Sequence, residues 1–252
     1  MDYRLVPETL HQGQLEDVSD IRPWLTDSLP TMPIFTDLKV NRGRILVVGA
    51  SAGAQLALLT PHLWKDPPIA VVSLYGPTNM HGVVSLGSSR LSQYPRMEVR
   101  LDQATNFGEP PTYIEPPEKE EDFLTPRAAM TRFMIMESLV PYVLIRGLPN
   151  CNWPQASSVS DEEIDAISPL HCFQKSYEKH PPVYQLVAAA DDIFHNSHGV
   201  KFHDLLERRG VKCAMHIVPD IKHADDIWEK IGGDFDQNII ALLVQWVVEA
   251  IA

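Results

Sequence analysis

Three polar side chains have the types and the chain order of a nucleophile, an orienting acid and a general base: Ser51, Asp191 and His223. Ser51 is the centre of a G-x-S-x-G pentapeptide at residues 49–53. A serine hydroxyl is a weak nucleophile until a base accepts its proton, and the base needs a carboxylate to fix its tautomer. The set therefore predicts nucleophilic attack on an acyl group.

Ser51 lies where a predicted strand turns into a predicted helix. The apolar run at residues 45–48 is typical of a buried parallel strand, and the Ala- and Leu-rich run at 54–59 favours a helix. A serine at such a bend presents its hydroxyl at the carboxyl end of the strand, and the backbone N–H of Ala52 is the predicted oxyanion donor. A glycine-rich turn in an unrelated α/β protein is the alternative interpretation of the pentapeptide.

The predicted acid and base follow later strands. Strands are predicted at residues 69–74, 182–189 and 211–218, with Asp191 just after the second of these and His223 just after the third. The carboxyl ends of parallel strands meet at one edge of a sheet, so the three side chains are expected to converge. The order Ser, Asp, His is the one that α/β-hydrolases use.

Other titratable residues are weaker assignments. Asp192 points away from the site if its loop continues the strand. Three histidines fall on a predicted helix start and its exposed faces, with a metal site among them as the weaker alternative: His195, His198 and His203. Three further histidines are predicted surface or packing residues: His171, His180 and His216. Tyr75 and Asn79 follow a strand end and could line a pocket, but no role is assigned to them.

The composition limits the class of protein. The chain has 252 residues, a net charge of −12 and a pI near 5.2, which argue against nucleic acid or an anionic membrane as a partner. The three cysteines show neither metal spacing nor a disulfide framework, so a reducing, cytoplasmic location is predicted. The apolar run at 239–252 is too short for a membrane span and predicts an amphipathic helix on the sheet.

One domain over residues 1–252 is predicted, with a cap-like insertion at about 76–168 where prolines become frequent. Within it, a helix is predicted from Thr125-Pro126 to about Ser138, and Ser160 begins a capping box. The methionine-rich helix is either an ordinary core face or a substrate-facing lid. An apolar lid would favour a hydrophobic acyl or polyketide-like substrate.

Several segments together resemble the hormone-sensitive-lipase-like family of esterases and lipases. The segments are D-Y-R-L-V-P-E at residues 2–8, R-I-L-V-V-G-A-S-A-G at 44–53, S-P-L at 168–170, P-P-V at 181–183, A-D-D-I at 190–193 and P-D-I-K-H at 219–223. Two positions depart from the family pattern, since Ala50 replaces the usual acid and Asp220 replaces a glycine.

The resemblance implies a truncated α/β-hydrolase fold, with a mostly parallel sheet, helices on both faces and a cap insertion. It implies hydrolysis of small or medium carboxylic esters by Ser51, His223 and Asp191, with no cofactor and no metal. The family's H-G-G oxyanion segment, which would precede residue 2, is not part of this sequence. The strand before Ser51 is therefore expected to form a sheet edge, open to self-association.

Three hypotheses follow from these features. The first is an active serine esterase acting on a small-molecule ester or related acyl group. The second is a catalytically impaired hydrolase-fold protein that binds or assists a partner, because loss of an oxyanion donor costs about 100- to 1,000-fold in rate. The third is a shortened product of a longer esterase.

Overall fold

The computed structural model describes residues 2–33, 41, 43–82 and 126–252. The strands of the described part are β1 (Leu46–Ala50), β2 (Ala70–Leu74), β3 (Val183–Ala188) and β4 (Cys213–Val218). Its α-helices are α1 (His11–Pro23), α2 (Ala52–Leu63), α3 (Pro126–Met136), α4 (Val140–Arg146), α5 (Asp161–Ala166), α6 (Pro169–Lys175), α7 (Ser197–Arg208) and α8 (Ala241–Ile251).

The described strands form one parallel sheet in the order β1-β2-β3-β4. Every residue of β3 is buried, as its largely apolar sequence predicts for an inner parallel strand. The exception in type is Gln185, whose amide donates to the carbonyl of Gly199 at 3.2 Å. The register pairs Val47 with Val71 and Val71 with Val183. The predicted parallel sheet is confirmed.

Helices cover both faces of this sheet. On one face, Leu58 of α2, Phe173 of α6 and Phe202 of α7 pack against Val71 and Val183. Each of these five side chains is fully buried. On the other face, the amphipathic helix α8 supplies a second apolar cluster with the alternate strand residues, and its members include Val72, Tyr184, Leu186, Leu243 and Val247. The expected α/β architecture with helices on both faces is confirmed.

β1 is an edge of the described sheet. Val48 on this strand is 55% exposed. An open groove of about 350 Å³ lies beside β1, and its lining includes Val18 and Ile21 of α1 and Leu25 of the turn that follows. Val18 is buried, but other apolar residues beside this strand are only partly covered.

A proline favours the end of a helix, so the sequence predicts that Pro61 closes the helix after Ser51. In the structure, α2 instead continues to Leu63. Proline lacks the N–H that would reach the carbonyl of residue 57. The hydroxyl of Thr60 instead donates to the carbonyl of Ala57 at 2.7 Å. The local side chain thus satisfies the acceptor that proline leaves open.

The predicted helix at 125–138 is α3, which begins at Pro126 and ends at Met136; Thr125 lies outside the described residues. Met130 and Met134 are buried against Val143 of α4, so this face of the helix is a core face. Arg127 is also buried and forms a bidentate ion pair with Glu8, at 2.8 and 2.5 Å. Much of the predicted cap insertion falls on residues 83–125, outside the described residues, and the predicted domain boundaries stay a prediction.

Among the described residues, no single helix combines the length and apolar composition that a membrane span needs. Helices α3 and α4 meet that requirement only as a pair, by length and composition alone, and they are bent by 118° relative to each other.

Candidate active site

Ser51 forms a sharp bend between β1 and α2. Its φ and ψ are 50° and −122°, a conformation that non-glycine residues rarely adopt and that commonly marks functional sites. The Ser51 N–H donates to the carbonyl of Leu74 at 2.9 Å, which fixes the bend to the end of β2. A Cβ at Gly49 would lie 2.2 Å from the carbonyl oxygen of Gly53, so the bend requires glycine at position 49.

A chain of two hydrogen bonds links Ser51, His223 and Asp191, which are called the hydrogen-bonded triad below. The Ser51 Oγ lies 2.8 Å from the His223 Nε2, and the His223 Nδ1 lies 2.9 Å from the Asp191 Oδ2. An ionised carboxylate only accepts hydrogen bonds, so the Nδ1–H donates to Asp191 and the Nε2 accepts from the serine hydroxyl. This is the tautomer in which imidazole can take a proton from serine.

The Asp191 carboxylate is held by backbone as well as by His223. Its Oδ1 accepts from the N–H groups of Ile193 and Phe194, both at 2.8 Å. Its side chain is 4% exposed. These contacts fix the orientation of the carboxylate, so its other oxygen can hold the ring of His223 in place.

The loop after β4 presents His223. The Ala190 N–H donates to the carbonyl of Ile221 at 3.0 Å, which ties this loop to the one that carries Asp191. Asp220 and Ala224 adopt left-handed φ values of 59° and 58°. Asp220 replaces a glycine of the resembled family, and aspartate is among the residues that tolerate this conformation.

Two aromatic rings pack edge-on against the imidazole of His223. The ring centroids of Tyr75 and Phe194 lie 5.0 and 5.1 Å from that of His223. Burial raises the pKa of Tyr75, and its hydrogen bond to Asp226 raises it further. The sequence patterns assign no role to Tyr75 and do not indicate Phe194. The signal that could have found them is an aromatic residue just after β2 and another just after the Asp191 turn.

The other histidines lie away from this hydrogen-bond chain. His198 and His203 are partly buried on α7 rather than exposed as predicted, because α7 packs closely against the sheet. Burial lowers the pKa of His198. Over the described residues, a group spaced for a metal ion is found at His81, Asp165 and His171 and not at the histidines around α7.

Ala52 is the first residue of α2. The first N–H groups of a helix have no acceptor within the helix, and the helix dipole makes that end partly positive. The Ala52 N–H is thus available beside Ser51 for a developing negative charge. Its role as an oxyanion donor remains a proposal.

Residues 1–107 match a family model described as alpha/beta hydrolase fold. The curated relatives include the non-reducing polyketide synthase atr1 of Stereocaulon alpinum, 29% identical over 90% of this chain and 10% of its own length. The methylphloroacetophenone synthase of Cladonia uncialis is 27% identical over the same shares. This chain therefore spans about a tenth of the length of these relatives.

Solved structures of esterases share the fold. A Pyrobaculum calidifontis esterase superposes with a TM-score of 0.57 at 18% identity, covering 99% of this chain and 65% of its own. A Rhizomucor miehei esterase superposes with a TM-score of 0.60 at 16% identity, covering 99% and 63%. At these identities the similarity establishes the fold alone.

Proposed function

The chain is a protein of the α/β-hydrolase fold, and we propose that it is a serine hydrolase acting on ester or thioester acyl groups. The observation that carries the proposal is the continuous hydrogen-bond chain from the Ser51 Oγ through His223 to Asp191. Its distances of 2.8 and 2.9 Å are in the range in which a base can remove the proton of a nucleophile.

In the proposed mechanism, the Ser51 Oγ attacks the acyl carbonyl while its proton passes to the His223 Nε2. Asp191 stabilises the imidazolium that forms, and the Ala52 N–H stabilises the oxyanion. The C–O or C–S bond to the leaving group then breaks, and the His223 Nε2–H protonates that group. Water attacks the acyl-serine by the same proton route, which releases the acid and restores Ser51.

The relatives favour a polyketide-like acyl group on a thioester as the substrate. They are named as polyketide synthases, and this chain matches a domain-sized share of their length. An acyl chain on a carrier such as coenzyme A is held as a thioester. Hydrolysis of that thioester by a serine hydrolase is one route for its release. The three free cysteines fit the proposed cytoplasmic compartment, where thiols stay reduced.

The test compares an aromatic acyl thioester of N-acetylcysteamine with the matching p-nitrophenyl ester, in the wild type and in Ser51→Ala. Both substrates should be turned over, with a higher kcat/KM for the thioester, and Ser51→Ala should abolish both reactions. Ser176→Ala is the matched control, because Ser176 is exposed and lies outside the hydrogen-bonded triad. Equal turnover by wild type and Ser51→Ala would refute the proposal.

The exposed edge at β1 favours a second candidate function, that of a binding or accessory protein that pairs through this strand. Val48 is 55% exposed at the middle of the edge. Unpaired strand edges pair with other chains, and an inserted lysine blocks this pairing. In static light scattering, the wild type should self-associate with increasing concentration and Val48→Lys should stay monomeric. A wild type that stays monomeric would contradict pairing between copies through β1. Ester turnover by the wild type that is lost in His223→Ala would contradict a binding protein without catalytic activity.

A further inference from the structure

A second group of polar side chains converges on the loop that follows β2. The His81 Nε2 lies 2.8 Å from the Asp165 Oδ1, and the His171 Nδ1 lies 3.4 Å from the same oxygen. The ligand atoms of the three residues all lie within 4.8 Å of one another. The imidazole rings of His81 and His171 are in an edge-to-face arrangement, with centroids 5.6 Å apart.

Hydrogen bonds around this group hold its three parts together. The Met80 N–H donates to the hydroxyl of Ser168 at 2.9 Å, and that hydroxyl donates to the carbonyl of Ile164 at 2.7 Å. The Leu170 N–H donates to the carbonyl of Thr78 at 2.8 Å. The loop of His81 is thus fixed to the corner between α5, which carries Asp165, and α6, which carries His171. The three side chains converge on a scaffold that is already ordered.

The geometry points to a binding site for a divalent transition-metal ion at His81, Asp165 and His171. Two imidazoles and a carboxylate are the ligands that Zn²⁺ accepts, with an open position for water. Tetrahedral coordination with bonds of about 2.0 to 2.1 Å places ligand atoms about 3.3 Å apart. The two histidine-to-aspartate distances of 2.8 and 3.4 Å lie near this value, so small side-chain rotations would complete the geometry. The side chains are 25 to 32% exposed, so an ion can reach them from solvent.

Nearby groups add charge but no strong competing ligand. The Asp161 Oδ1 lies 3.9 Å from the His81 Nδ1, so a second carboxylate can orient the ring of His81 and increase the local negative charge. Cys172 lies next to His171, but its thiol donates to the carbonyl of Ala166 at 3.4 Å and is not among the converging ligand atoms of the described residues. The proposed coordination is by the nitrogen atoms of two histidines and an oxygen of Asp165.

This site is separate from the hydrogen-bonded triad and uses none of its residues. A bound ion would link the loop after β2 to the corner between α5 and α6, and binding to the folded state alone stabilises it. The proposal is for metal binding that links these two segments, and it assigns the ion no step in a reaction. It stands whether or not Ser51 is a nucleophile.

Zinc binding is measured on the metal-free chain by equilibrium dialysis and by calorimetry with Zn²⁺ alone. The wild type should bind one ion, and Asp165→Asn and His171→Gln should each weaken binding by about 10-fold or more. His203→Gln is the matched control, since His203 pairs with Glu207 on α7 and forms no three-ligand group with the other residues that the structure describes. Cys151→Ser removes an exposed thiol that could bind zinc on its own. Wild-type affinity in both ligand variants would overturn the site.

A second measurement needs no ligand variant and so does not depend on how the variants fold. Co²⁺ added to the wild type should give visible d–d absorption without a thiolate-to-cobalt charge-transfer band, and Zn²⁺ should displace it. Added Zn²⁺ should also raise the melting temperature of the wild type. A charge-transfer band, or no absorption change at all, would overturn the assignment to two histidines and an aspartate.

Discussion

The carboxyl ends of β1 and β3 each supply one member of the hydrogen-bonded triad, but the two strands lie in different surroundings. β3 is buried along its whole length, between β2 and β4 and under helices on both faces. β1 is the edge of the described sheet, with Val48 55% exposed. Asp191 is therefore positioned by the core, whereas Ser51 depends mainly on local backbone geometry.

This difference shows two ways of fixing a side chain. Asp191 is held by two backbone N–H groups and by His223, and its side chain is only 4% exposed. Ser51 is held by a strained bend, the close approach of Gly49 to Gly53 and one bond to Leu74. Changes in the core should therefore affect the whole protein, while changes at the edge should act on the bend or have little effect.

The largest expected effect is on the rate and comes from the acid. Asp191→Asn should lower kcat by about 10,000-fold, because an amide favours the wrong tautomer of His223. The melting temperature of the variant should stay close to that of the wild type, because the change removes no buried apolar contact. Asp220→Asn is the control, since it removes a carboxylate from the neighbouring exposed loop and tolerates the left-handed φ of 59°. A loss of less than 10-fold in Asp191→Asn would show that Asp191 does not orient the base.

The next effect is on stability and tests the contrast between the strands directly. Leu186 on β3 is 2% exposed, so Leu186→Ala should lower the free energy of unfolding by about 2 to 5 kcal/mol. Val48→Ala on β1 should change it by about 0.5 kcal/mol or less. Urea unfolding followed by circular dichroism measures both. Similar losses in the two variants would mean that β1 is covered as well as β3.

The two glycines of the pentapeptide lie in different surroundings, so alanine should change the stability of the protein differently at each. Gly49→Ala should lower the free energy of unfolding by about 1 to 3 kcal/mol, because the new Cβ would meet backbone 2.2 Å away. At Gly53, a Cβ meets nothing within 4 Å in the described part of the chain, so Gly53→Ala in α2 should be neutral or slightly stabilising. Equal losses in the same unfolding assay would contradict the proposed close approach.

A smaller effect, on the free energy of unfolding at low pH, is expected from His180. Burial lowers the pKa of His180 to about 4, and its ring packs against Phe173 with centroids 4.9 Å apart. The unfolded chain, with an ordinary histidine pKa near 6.5, binds this proton first, so stability should fall as the pH drops from about 6.5 toward 4. His180→Gln should reduce that fall by an amount on the order of 1 kcal/mol.

Urea unfolding at pH 7 and pH 5 measures how the free energy of unfolding changes with pH in the wild type and in His180→Gln. Histidines elsewhere whose pKa burial also lowers, such as His11 and His62, stay in the variant and preserve part of the slope. An unchanged slope in His180→Gln would mean that its ring does not stay neutral in the folded protein.

The sequence predicted the fold class and the strands well because each strand is a short, mostly apolar run followed by turn residues. Ser51, Asp191 and His223 could be selected for the same reason, since each follows a predicted strand end. The helix end at Pro61 was wrong, because the hydroxyl of Thr60 compensates for the missing N–H. That compensation depends on a rotamer, which no sequence pattern specifies.

Contacts between distant segments were beyond the sequence patterns. The rings of Tyr75 and Phe194 meet at His223 although the three residues come from three separate loops. His81 and Asp165 are 84 residues apart in the chain and meet only because a loop packs on the corner between α5 and α6. Spacing arguments detect metal ligands that share one helix or turn, and this group shares neither.

The most direct test of the account is labelling with a fluorophosphonate, which traps a serine that a neighbouring base activates. The Oγ bonds to phosphorus, fluoride leaves, and the proton passes to the base. Peptide mass spectrometry should find the wild type labelled at Ser51, and labelling should be lost in Ser51→Ala and strongly slowed in His223→Ala. A folded wild type that is not labelled, or Ser51→Ala labelled as fast as the wild type, would contradict the assignment of Ser51 as the nucleophile.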